Sequence, residues 1–180
     1  MKKPLLQIKY VICTILIIYF SLTVTNRLSG QEKINITAGF GLPELINGGV
    51  RFQLNQVQLG ISLGFIPDDY EDIISVAGDI YFHLTGSSKY SSRYQYYFRL
   101  GCDYFRLESE YDLDEYVYLN LRFGKDFDLS KKFGINVDGG IAIELDHKET
   151  AKKQQYSFWP DTDTNYGVFP SLGISLFYRI

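Results

Sequence analysis

The residues with the most chemical potential sit late in the chain, where Asp146 and His147 follow Glu144 and precede Glu149. An imidazole oriented by a carboxylate can act as a general base, and Ser157 and Thr162 in the same stretch are the hydroxyls it would activate. Neither hydroxyl stands at a spacing that constrains its geometry to His147, so catalysis has residues but no constellation. Two acidic runs, Asp68, Asp69, Glu71, Asp72 and Glu108, Glu110, Asp112, Asp114, Glu115, carry the oxygens that divalent cations prefer. Asp112-Leu113-Asp114-Glu115 lacks the glycine and spacing of an EF-hand loop, so both runs read as solvated faces. His83 reads as a hydrogen-bonded packing residue rather than a metal ligand. No catalytic, metal or cofactor residue is expected.

A different set of charges is organised by periodicity. Arg51, Arg99, Arg122 and Arg179 face Asp79, Asp103, Asp138 and Glu144 on the polar sides of stretches that alternate apolar and polar residues. Arginine suits packed, multiply hydrogen-bonded ion pairs, and almost no lysine stands among these positions away from the strand ends. Gly39, Gly60, Gly64, Gly101, Gly124, Gly140 and Gly173 share the same sides and give room in a narrow enclosure. The eight charged residues are expected to form a neutralised structural network inside the protein.

The elements that must position them are strands, because a two-residue period puts unlike chemistry on two faces. Eight are expected: from Ile34 to Gly41, Val50 to Asn55, Val57 to Phe65, Val76 to Leu84, Tyr94 to Phe105, Val117 to Gly124, Ile135 to Leu145 and Val168 to Arg179. Pro43 and Gly48-Gly49 predict a loop from Leu42 to Gly49, and Asn55-Gln56 a tight hairpin. Connections after strands two, four and six read as short. Those after one, three, five and seven read as longer or strongly acidic, the longest running from Asp146 to Gly167. The fold class is all-β, an eight-stranded antiparallel up-and-down barrel, and strands of this length suit a transmembrane one.

A soluble barrel that binds a hydrophobic ligand points its apolar face inward, whereas a membrane barrel reverses both faces. The arginine-rich, glycine-rich polar face favours the second. Tyr94, Tyr96, Tyr104, Phe123 and Tyr178 lie near strand ends on the apolar face, as interfacial girdles do. An eight-stranded interior is just wide enough to be filled by side chains, which disfavours a solute pore.

The 180 residues make one domain, with 15 Tyr and 13 Phe. Residues 1–30 carry Lys2, Lys3 and Lys9, then an apolar run to Val24 that is short for a spanning helix, and read as a cleaved secretory signal. Residues 31–180 are the barrel. Cys13 lies in the apolar run, so the mature chain retains Cys102 alone and no disulfide. Losing Lys2, Lys3, Lys9 and Arg27 leaves 14 basic against 21 acidic residues, a formal −7 that makes nucleic acid an improbable partner.

With this signal, this dyad patterning, the strand-turn-strand from Phe123 to Ile143 and the terminal stretch Leu172 to Ile180, the chain resembles the small eight-stranded outer-membrane barrels of Gram-negative bacteria, the family of the OmpA transmembrane domain and OmpX. The resemblance covers nearly all of residues 31–180. It implies integral residence among outer-membrane lipid, termini on the periplasmic side and insertion by the barrel-assembly machinery. Leu172, Ile174, Leu176, Tyr178 and Ile180 would be the assembly signal, although the last residue is Ile where the family usually ends on an aromatic. Members serve as anchors, adhesins, defence factors and lipid-modifying enzymes, so the resemblance specifies architecture more than activity. The His-X-Ser pattern of lipid A deacylase barrels is absent, since Lys148 and Glu149 follow His147. Tyr156, Phe158 and Trp159 either anchor a surface partner or lie back on the rim. The expected role is surface interaction or envelope support, with a soluble ligand-binding barrel and a barrel-borne hydrolase as alternatives.

Overall fold

The computed structural model describes residues 33–67, 71–151 and 167–180. Alternation drives these residues into eight strands: β1 (Ile34–Leu42), β2 (Leu45–Leu54), β3 (Val57–Pro67), β4 (Asp72–Thr85), β5 (Tyr96–Glu108), β6 (Asp112–Asp128), β7 (Phe133–Ala151) and β8 (Val168–Arg179). Each pairs antiparallel with its sequence neighbour, and β1 pairs with β8 from Asn35↔Arg179 to Leu42↔Leu172, closing the sheet into a barrel. Closure removes the two open edge strands of a flat sheet, although β7 runs on past its ladder with β8, which ends at Ile143↔Val168.

The two faces divide sharply. Ile36, Phe40, Phe52, Ile61, Leu63, Phe65, Val76, Phe123, Leu172, Ile174 and Leu176 point outward and are exposed, Leu63 to 61 %. Asn35, Arg51, Gln58, Asp79, Arg99, Asp103, Asn120, Arg122, Asn136 and Asp138 point inward and are buried, Arg122 to 1 %. The usual arrangement of a soluble domain, apolar inside and polar outside, is reversed.

Two sequence expectations about connections are corrected. The loop foreseen from Leu42 to Gly49 shrinks to Pro43 and Glu44, because β2 starts at Leu45 and runs through Gly48-Gly49. These glycines mark close approach rather than a break: a Cβ on Gly49 would stand 2.5 Å from the Ile61 carbonyl oxygen. The expected lengths hold after β2, β6 and β7, whose links span 55–56, 129–132 and 152–167, and fail elsewhere. The link after β4 is long, spanning residues 86–95 at the end that holds the chain termini, while at the opposite end the links after β1, β3 and β5 are short, at 43–44, 68–71 and 109–111.

The acidic stretches after Phe105 and Leu145, expected as loops, are largely strand, with only 109–111 linking β5 to β6. β6 begins at Asp112 and β7 continues to Ala151, so β6 and β7 have 17 and 19 residues against 9 and 10 in β1 and β2. The wall is therefore tall on one side and low on the other. A bulge opposite Val117 and Tyr118 shifts the register so that Tyr118 pairs with Glu144 and Tyr116 with His147. Leu145 is the extra residue, and beyond it the parity of β7 inverts.

Candidate functional site

The interior is built in layers, one for each step of two residues along the strands. At the end holding the termini, the 86–95 link folds beneath the barrel and inserts Arg93. Its Nη2 donates to Asp126 Oδ2 at 2.6 Å and its Nη1 to Gln53 Oε1 at 3.1 Å. Arg179 pairs with Asp128, and the Phe177 ring lies between the two guanidiniums, 5.4 Å from Arg93 and 4.7 Å from Arg179. His83 packs here, Nδ1 2.8 Å from the Tyr94 carbonyl oxygen and Nε2 3.2 Å from the Gln58 side-chain oxygen. Tyr94 lies in the link rather than on β5, where the sequence placed it.

The middle layer is a closed ring of charges. Arg99 grips Asp79 with two hydrogen bonds of 2.8 Å and reaches Glu44 Oε1 at 2.6 Å. Arg122 donates to Glu44 Oε2 at 2.6 Å and to Asp138 Oδ1 at 2.9 Å. Asp138 completes the circuit, its Oδ2 3.6 Å from Arg99 and accepting from the Tyr97 hydroxyl at 2.9 Å. Arg51 lies over the Tyr81 ring at 4.3 Å. Arg99 thus meets three carboxylates, Arg122 two and Arg51 a π face, the planar geometry for which arginine is suited.

Glu44 arrives from the two-residue β1–β2 turn, which dips into the barrel instead of standing above it. Leu45 holds the left-handed conformation at φ 65° and is buried, a strained choice for a branched side chain that only dense surroundings sustain. Those surroundings include the Ser75 hydroxyl, which donates to the Glu44 carbonyl at 2.9 Å. Gly64 lies against the turn so closely that a Cβ would come within 1.8 Å of the Glu44 oxygen. What space remains beside Glu44, Arg51, Asp79, Arg99, Arg122 and Asp138 is a polar cavity of about 20 Å³, room for about one water.

Above this plug the tall side of the wall carries five rings in contact. Tyr116 stacks on His147 at 4.2 Å and nearly parallel to Tyr118 at 5.7 Å; Phe105 lies 6.1 and 6.4 Å from the two tyrosines, and Phe169 meets Tyr118 edge-on at 5.1 Å. Asp114, Glu144 and Glu149 are the carboxylates whose fields reach Tyr116. One residue below Phe105 on this face, Asp103 is fully buried, accepts from the Asn120 amide and leaves its Oδ1 without a hydrogen-bond partner.

Of the eight charges expected inside, Asp79, Arg99, Arg122 and Asp138 share the central ring. Arg51 stacks on Tyr81 instead of pairing with a carboxylate, Arg179 turns to Asp128, and Asp103 is held by an amide. Glu144 is corrected: it faces inward on β7 but stands at the mouth, only partly buried, away from the four arginines. Glu44, Arg93, Asp126 and Asp128 were not foreseen. Asp126 shares the parity of Arg122 and Gly124 and was readable, whereas Glu44 and Arg93 lie in turns, which have no period. Strand alternation puts Asp146 and His147 on opposite faces and the bulge turns His147 inward, so the pair in which Asp146 orients His147 is not formed; the His147 Nε2 is 4.0 Å from Asp114. Leu172, Ile174, Leu176 and Tyr178 line the outward face of β8, and Ile180 follows it. Tyr156, Ser157, Phe158, Trp159, Thr162, Asp68, Asp69 and the expected signal at 1–30 lie outside the described residues. Among the described residues no group of three His, Cys, Asp or Glu side chains converges to hold a metal ion.

Fold and interior together define a class: an eight-stranded up-and-down barrel with an apolar exterior and a filled, charge-paired lumen. No family model matches the chain, and no curated protein does.

Proposed function

We propose that the chain is a small integral outer-membrane protein of the kind it resembles, serving surface interaction or envelope support through the end opposite its termini. The observation that carries this reading is the continuous outward band of large apolar side chains, among them Ile61, Leu63, Phe65, Val76, Leu172, Ile174 and Leu176. Water would penalise so wide a band, since exposed apolar patches on monomers rarely exceed a few hundred Å². A tilted strand of the length of β3, 11 residues, spans about 25 Å, the height of the apolar belt in such barrels.

The margins of the band support the same reading. Toward the termini, the Lys125 ammonium lies over Tyr96 at 4.8 Å and Phe127 at 5.0 Å, and Lys132 donates to the Tyr178 hydroxyl at 3.3 Å. Aromatic rings with lysines drawn over them suit an interface between hydrocarbon and headgroups. At the other margin, outward charges begin with Arg106, Glu115 and Lys148. The filled lumen supports a non-porin role, and a barrel that stores a hydrophobic ligand would need an apolar interior in place of this one.

Extraction tests the proposal. The protein is expected to stay in carbonate-washed membranes and to require detergent for release, and the purified barrel to give no stable large conductance in planar bilayers. Release of the protein with the periplasmic contents would overturn the reading.

A further inference from the structure

The mouth opposite the termini has two unlike features on one face: a row of rings and an excess of carboxylate. Register places Asp114, Tyr116, Tyr118, Glu144, His147 and Glu149 on the same inward side of β6 and β7, since directly paired residues share a face. The basic residues at this height are elsewhere. Arg106 and Lys148 point outward and are engaged, Arg106 with Glu108 and Lys148 with Glu115 at 3.4 Å. Among the described residues the inward face above Asp103 carries no lysine or arginine.

From this charge complementarity we infer that the ring-lined inner face of β5, β6 and β7 is a docking surface for an extended basic peptide, whose lysine or arginine heads lie over the rings and between the carboxylates. Ring faces attract ammonium and guanidinium groups, more strongly where water is partly excluded. Tyr116, Tyr118 and Phe105 are only partly exposed or buried, so the face supplies that exclusion. The shape selects the occupant. A small quaternary ammonium is best held by rings on several sides, whereas here the rings run along one tall wall and β1 and β2 end lower on the other. A row of sites open on one side suits a chain that offers successive cationic side chains.

One carboxylate oxygen beside the rings strengthens the inference. Asp114 Oδ1 is shielded from solvent and accepts no hydrogen bond, with His147 Nε2 4.0 Å from it. It puts negative potential beside the rings, and a cation docked there gains from that potential at short range.

The inference rests on the proposed orientation only in that this end must face the exterior, and its test does not depend on membrane residence. The full chain, folded in maltoside micelles that carry no cation of their own, is titrated calorimetrically with a short peptide alternating lysine and serine and with its glutamate counterpart. Only the lysine peptide is expected to bind, with affinity falling as salt rises. The Tyr116→Leu exchange should weaken binding roughly fivefold, Tyr116→Phe should restore most of it, and Asp114→Asn with Glu144→Gln should weaken it about tenfold. Retention of the heat-induced gel shift by each variant shows that the barrel is intact. Equal binding of both peptides, or indifference to these exchanges, overturns the inference. So does binding that emerges only when residues 152–166 are replaced by a glycine-serine linker, because the chain's own segment would then be the occupant.

Discussion

Glu44 and Arg122 stand 78 residues apart in the chain and meet at 2.6 Å inside the barrel. The contact is possible because a turn that could have stood free above the sheet points down into it. Arg122 is also bound to Asp138, and Glu44 to Arg99, so this pair closes the ring that fills the middle of the lumen. Truncating one partner of such a pair strands a buried charge, at a cost of about 3 to 5 kcal/mol. Glu44→Leu should therefore lower the unfolding free energy of the refolded barrel in urea by that amount. Adding Arg122→Met should recover a large part of the loss, because apolar replacement of both partners is often neutral.

The fit of the turn against β3 gives a second prediction. Gly64→Ala places a methyl 1.8 Å from a backbone oxygen of Glu44, which cannot rotate away, and should cost about 1 to 3 kcal/mol. Gly78 is the control: a Cβ there meets nothing within 4 Å, so Gly78→Ala should leave the urea midpoint unchanged or slightly raised.

An outward charge should cost according to its depth. Ile61 lies within the apolar band and is 56 % exposed, so Ile61→Arg should lower the folding free energy in lipid vesicles by about 2 to 4 kcal/mol. Leu113→Arg, beyond the band, should cost about 0 to 1 kcal/mol. Equal small effects at both positions would show that water surrounds both.

How much of this was legible depends on where the alternation survives. Asp79, Arg99, Arg122 and Asp138 could be placed inside because each lies in a stretch whose other face is apolar. The signal fades where a strand leaves the band: on β6 and β7 above Val117 the outward residues Glu115 and Lys148 are as polar as the inward ones, so a continuing strand read as a loop. The extra residue Leu145 then reverses the parity, which no count of twos from Ile135 would reveal, and His147 rather than Asp146 turns inward. Glu44 and Arg93 were invisible for another reason. Their positions follow from how turns fold over the barrel ends, and nothing local in Pro43-Glu44 or in residues 86–95 says whether a side chain enters the lumen.

The outward band and its inverted interior are the centre of the account, and Cys102 reports on them directly. It is exposed on the outward face of β5 between Leu100 and Tyr104. With Cys13 replaced by serine, a nitroxide on Cys102 in lipid vesicles should collide readily with dissolved oxygen and scarcely with a water-soluble nickel chelate. A label that meets the chelate as freely as one placed at Lys148→Cys would contradict the account.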